Sequence, residues 1–143
     1  MAEYKYESEI KQVPYSQSRV YDRLADLNHI ADYTHLLDQL PQDKVKIENL
    51  HYDRDSLGFS IAPIGNVEMR VVERDDPKLI KLEATTAPIP RTVWIQILPT
   101  APDASKMKLT LRTELNIFMK GMVQKPLREG IDQVATILAS LEY

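Results

Sequence analysis

The chain opens on an alternation. Tyr4, Tyr6, Ser8 and Ile10 fall on one side, and Lys5, Glu7, Glu9 and Lys11 on the other. That is the period of a strand with one wet face. Pro14 ends the strand, and Ser16 or Ser18 can then accept a hydrogen bond from the free amides of a helix start. Val20, Tyr21, Leu24 and Leu27 follow at helical spacing, so a short first helix is predicted. Asn28 can cap a second one, in which Ile30, Tyr33, Leu37 and Leu40 keep the helical period until Pro41 stops it.

From Val45 to Asn116 the period returns to two, with turn residues at regular intervals, as an antiparallel meander requires. Val45 and Ile47 begin it, and Leu57, Phe59 and Ile61 follow a turn at Asp53-Arg54-Asp55-Ser56. After Pro63 and Gly65, Val67, Met69 and Val71 face one way against Glu68 and Arg70. The turn Asp75-Asp76-Pro77-Lys78 leads to Ile80, Leu82 and Ala84. Val93, Ile95 and Ile97 form the next apolar set, which places Trp94 and Gln96 on the opposite face. A loop is expected from Pro99 to Ser105. The clearest strand comes last: Met107, Leu109, Leu111, Thr113 and Leu115 alternate with Lys106, Lys108, Thr110, Arg112 and Glu114. The sheet therefore has one apolar and one solvated face.

In the final segment Met119, Val123, Leu127, Ile131, Val134, Leu138 and Leu141 recur at helical spacing, which predicts a long amphipathic helix. Pro126 lacks a backbone donor and clashes with the carbonyl four residues earlier, so a bend near Met122 is expected, eased by Gly121 and Gly130. The alternative is that Pro126 opens a shorter helix at its first turn.

A sheet apolar on one side needs a cover, and the one long amphipathic helix is the final one. The predicted fold is α+β: a helix-grip, with a curved antiparallel sheet of about seven strands around a long C-terminal helix, and two short helices after the first strand. One helix does not fill the concave side of such a sheet. A cavity between sheet and helix is therefore expected, with the short helices as a lid at one end.

Composition narrows the picture. At 143 residues the chain can bury roughly 70% of its unfolded surface, so residues 1–143 are expected to form one domain. Cysteine is absent, which excludes disulfides, thiolate nucleophiles and cysteine-rich metal sites. No apolar run approaches the ~18 residues of a membrane span, and the first residues lack the pattern of a signal peptide. A cytoplasmic location without integral membrane association is the expectation. Net charge is -3, and Arg70, Arg74, Lys78 and Lys81 are interleaved with Glu68, Glu73, Asp75, Asp76 and Glu83. That reads as a solvated face, and no nucleic-acid partner is expected.

Catalytic chemistry finds little support. His29 and His35 lie about 240 degrees apart around a helix axis, and His51 adjoins a turn, so no metal site is expected. No Gly-x-Ser-x-Gly elbow or glycine-rich phosphate loop occurs. The pair Asp53 and Asp55 resembles part of a calcium loop, but the remaining ligands are missing. No cofactor is predicted.

Several stretches carry a resemblance. They are Glu9-Ile10-Lys11-Gln12-Val13-Pro14-Tyr15-Ser16 followed by Val20-Tyr21, the strand Trp94-Ile95-Gln96-Ile97-Leu98-Pro99, and Met107 to Thr110 through Phe118-Met119-Lys120-Gly121-Met122-Val123 with Lys125-Pro126-Leu127. With the order of elements, they resemble the START-like (SRPBCC) superfamily, which includes the birch-pollen allergen type and polyketide cyclases, and within it a small bacterial branch. These residues support a fold and are not a catalytic signature. The resemblance implies binding of an apolar or amphipathic small molecule in the cavity, and no catalytic residue is carried over.

The expected cavity residues are Tyr6, Ser8, Tyr33, Leu37, Phe59, Met69, Ile95, Leu111, Thr113, Phe118, Met119, Met122 and Leu127. Met119 and Met122 are adaptable, and Tyr33 and Leu37 would face them across the opening. Ser8 and Thr113 are hydroxyls on apolar faces, which orient a ligand or bond to nearby backbone. Two other readings stand beside the carrier. One is a polyketide-cyclase-like enzyme in which Tyr33 or Asp32 moves a proton. The other is an interaction protein with a filled cavity, its exposed Trp94 forming a contact surface such as that of a homodimer.

Overall fold

A computed structural model describes residues 2–32, 34–35, 47–61, 65–84 and 91–143. Its elements are β1 (Ala2–Glu7), β2 (Lys11–Val13), α1 (Gln17–Ala25), a 3₁₀ helix (Leu27–Asp32), β3 (Ile47–Tyr52), β4 (Ser56–Ile61), β5 (Gly65–Asp75), β6 (Leu79–Ala84), β7 (Arg91–Ala101), β8 (Ala104–Leu115) and α2 (Ile117–Ala139). The strands form an antiparallel sheet in the order β1-β8-β7-β6-β5-β4-β3, with β2 also on β8.

The opening alternation is broken where a single strand was expected. Ser8 N–H donates to the Leu109 carbonyl, and the Ser8 hydroxyl accepts from Leu109 N–H, so the side chain takes over one rung of the ladder. Pairing resumes at Lys11 opposite Met107. Three residues thus match two on β8, a bulge that exchanges the faces. Ile10, expected inside, is 57% exposed, while Val13 is buried. Lys11 turns inward to Asp132 on α2, with Nζ 3.1 Å from Oδ1.

The first short helix starts as expected, the Ser16 hydroxyl accepting from Arg19 N–H. The second differs over its described part. It is a 3₁₀ helix, and its entry is capped by Asp26, whose carboxylate accepts from Asn28 N–H. Arg74 holds this junction, donating to the carbonyls of Ala25 and Arg54 and pairing with Asp55. The expected loop from Pro99 to Ser105 contracts to a tight hairpin, because β7 runs to Ala101 and β8 starts at Ala104.

Asn116 caps α2 through its side chain, which accepts from Met119 N–H at 2.8 Å. The helix then runs unbroken through Pro126 to Ala139, so Pro126 does not open a shorter one. Its C-terminal half contributes Ala135 and Leu138 to the main core, with Leu141 and Tyr143 beyond it, against Val13, Val20, Ile97 and Met107. The first half packs Val123 on Tyr6, Leu111 and Leu115.

Candidate concave-face site

Strand register builds the inner face row by row. Tyr6, Leu111, Val93, Leu82 and Val71 lie in one row across the sheet. Leu109, Ile95 and Ile80 lie in the next, reached by Ser8 at its sheet edge. On the other side of the Tyr6 row, Tyr4, Thr113 and Arg91 stand side by side. The farther strands add Leu57 paired with Met69 and Phe59 paired with Val67.

The backbone of α2 runs closest to β8, β1 and β2. It therefore grips one side of the concave face. Leu57, Phe59 and Val93 are only partly buried, although they share the inner face with the core.

The Tyr6 and Thr113 side chains are buried, at 4% and 2% exposure. Among the described residues neither the Tyr6 hydroxyl nor Thr113 Oγ1 has a hydrogen-bond partner. Each such group costs about 1–3 kcal/mol when it is removed from water without one. Burial pushes the Tyr6 phenol above its usual range, with the Arg128 charge opposing it. Arg91 is half-buried, and desolvation lowers its pKa from the ordinary guanidinium value.

The predicted residues separate into groups. Tyr6, Met69, Ile95, Leu111 and Thr113 are buried on the inner face. Phe59, Met119 and Leu127 are partly buried there. Ser8 is buried, and its hydroxyl is used by Leu109 N–H and the Glu9 carbonyl. Phe118 and Met122 are corrected: at 80% and 61% exposure they face solvent with Ile117. They lie on the outer side of a helix whose inner side is taken by Met119, Val123 and Leu127. Tyr33 and Leu37 lie outside the described residues.

Arg91 was missed, although it shares its parity with Val93, Ile95 and Ile97. A cation at an inner-face position was the available signal. Trp94 does lie on the outer face, but Lys81 and Arg112 cover its ring at 5.7 and 5.3 Å from the centroid, so it is not bare. Asp32 pairs with Arg23 at 3.1 Å and is half exposed. His51 lies within β3, and the described residues hold no cluster of three metal-ligating side chains. A polar depression of about 350 Å³ surrounds Arg74, lined by Tyr21, Asp22, Asp26, Arg54 and Asp76. It lies at the α1 junction and draws on none of the predicted cavity residues.

No protein-family model and no curated protein sequence matches the chain. Solved structures do. A START superfamily protein from Mycobacterium smegmatis superposes with a TM-score of 0.65 at 15% identity, covering 94% of each chain. Norcoclaurine synthase from Thalictrum flavum, in complex with dopamine and hydroxybenzaldehyde, gives 0.63 at 15% identity over 99% of this chain and 90% of the other. The protein XoxI from Bacillus cereus gives 0.55 at 16% identity over 100% and 99%. The chain has the START-like, helix-grip fold.

Proposed function

We propose that residues 1–143 act as one cytoplasmic START-like domain that binds or carries a small apolar or amphipathic molecule between the concave face and α2. The observation that supports this reading is the one-sided grip of the helix. The approach of α2 to β8, β1 and β2 leaves Leu57, Phe59 and Val93 with accessible apolar surface on the inner face. Apolar surface on a concave wall is what a hydrophobic ligand covers. The proposed lining is Phe59, Met69, Ile95, Leu111, Met119 and Leu127. That a structure of this fold was solved with two aromatic compounds is consistent with ligands of that size.

Titration with the uncharged fluorophore N-phenyl-1-naphthylamine, alongside native mass spectrometry of gently purified protein, tests the proposal. Saturable uptake near one to one is expected. A flat titration together with a clean unliganded mass overturns it. A protein-interaction role is the second reading, favoured by the exposed trio Ile117, Phe118 and Met122 in place of the covered Trp94.

A further inference from the structure

On the reading that the concave face holds a ligand, we propose that Arg91, Thr113 and Tyr6 form its polar end, and that the ligand is an amphiphile carrying a carboxylate. Arg91 and Thr113 are directly opposed on β7 and β8, so their side chains leave the same face of the sheet. Directly opposed residues hold their Cβ atoms about 5 Å apart. Tyr6 faces Leu111, one row along, which sets its ring diagonal to Thr113. One cation and two hydroxyl groups therefore converge at one end of a face that is otherwise apolar.

Among the described residues all three are unused. Thr113 Oγ1 and the Tyr6 hydroxyl have no partner among the described residues, and Arg91 enters no ion pair or side-chain hydrogen bond there. A long arginine can carry its head to solvent. That leaves the two buried hydroxyls as they are, whereas an anion held between them and the guanidinium satisfies all three. Both hydroxyls can donate, and the planar fork of arginine matches the two oxygens of a carboxylate. Arg128 on α2, whose charge acts on the Tyr6 hydroxyl, adds to the positive potential. With the tail along Leu111, Val93 and the inner wall, the arrangement selects a single-headed acid over the matching alcohol.

The experiment displaces bound N-phenyl-1-naphthylamine with dodecanoate and with 1-dodecanol at pH 8, using wild type, Arg91→Gln, Arg91→Lys and Thr113→Val, each checked for an unchanged thermal unfolding profile. In wild type dodecanoate is expected to displace the probe at about tenfold lower concentration than dodecanol, as a charge-assisted hydrogen bond implies. Arg91→Gln brings the two together, Thr113→Val narrows the gap, and Arg91→Lys keeps part of it. Equal displacement in wild type, or a preference that survives Arg91→Gln, overturns the acid site and leaves the carrier reading intact. Failure of the neutral probe to bind wild type whose native mass is unliganded overturns both.

Discussion

The His51 imidazole reaches across Gly58 to the Glu68 carboxylate, with Nε2 2.8 Å from Oε1. The three residues lie in one row across β3, β4 and β5. Nδ1 of the same ring faces the Asn49 carbonyl at 3.0 Å. Both partners are acceptors, so the pair of contacts favours the protonated ring, which can donate from both nitrogens. The His51 pKa is accordingly raised from 6.5, by the Asn49 carbonyl first and by Glu68 next.

A histidine whose folded pKa lies above its unfolded one adds stability that is complete below about 6.5 and is lost as pH rises through the folded value. Between pH 6 and 8.5 the Tm of wild type should therefore fall relative to that of His51→Gln. A Tm difference that stays constant over that range would refute the assignment.

Gly58 makes the pairing geometrically feasible. A methyl group there would collide with the His51 ring and the Glu68 carboxylate. Those side-chain ends can swing aside, so Gly58→Ala should lose the pair and leave the strand intact. Alanine also suits a strand better than glycine by roughly 0.5–1 kcal/mol. The Tm of the variant relative to wild type should rise between pH 6 and pH 8.5, and its Tm should show no further change when it is combined with His51→Gln. Thermal unfolding of the four proteins at both pH values measures this.

Much of the fold was legible from period alone. Met107 to Leu115 follow their predicted faces because a slip of one residue in a strand would turn every apolar side chain outward, and the apolar stripe of α2 follows its own because it recurs at helical spacing over the whole length of the helix. What escaped was decided by contacts distant in sequence. The bulge at Ser8 depends on Leu109, and no local pattern distinguishes it from a continued strand. Phe118 and Met122 look like core residues in one dimension, yet Asn116 starts the helix so that they point away from β8. Arg91 was hidden because it ends a strand, where an isolated charge is ordinary.

Ser8→Ala tests the bulge. It leaves the Leu109 amide without an acceptor at a site where the serine is only 6% exposed. A loss of about 1–3 kcal/mol is expected. In urea the midpoint should fall with an unchanged slope. An unaltered midpoint would mean that the hydroxyl is dispensable.

Asp132 joins α2 to the bulge and the strand after it, accepting from Glu9 N–H at 3.0 Å and from Lys11. Its carboxyl is held below 3.8, by the Glu9 amide first and Lys11 next. A depressed carboxylate stabilises above its unfolded pKa, and that contribution is lost as pH falls through the folded one. Asp132→Ala should lose about 1 kcal/mol at pH 7, a figure reduced for solvent screening. The gap from wild type should close on acidification, as followed by urea unfolding at several pH values.

Core and surface assignments on β7 and α2 separate cleanly in a paired test. Ile97 is 0% exposed, and Ile97→Ala should cost about 2–5 kcal/mol. Phe118→Ala should stay within about 0.5 kcal/mol of wild type. A large loss at Phe118 would place it against the sheet after all.

The bulge in β3 has a consequence for life at high concentration. Asn49 takes a left-handed backbone, φ 56°, where the register of β3 slips between Glu48 and His51. Among the described residues β3 pairs on one side only, so it ends the sheet. A straight terminal strand offers an uninterrupted row of amides and carbonyls to any neighbouring molecule. The kink at Asn49 breaks that row part-way along. At this edge an incoming chain would find no continuous ladder to extend.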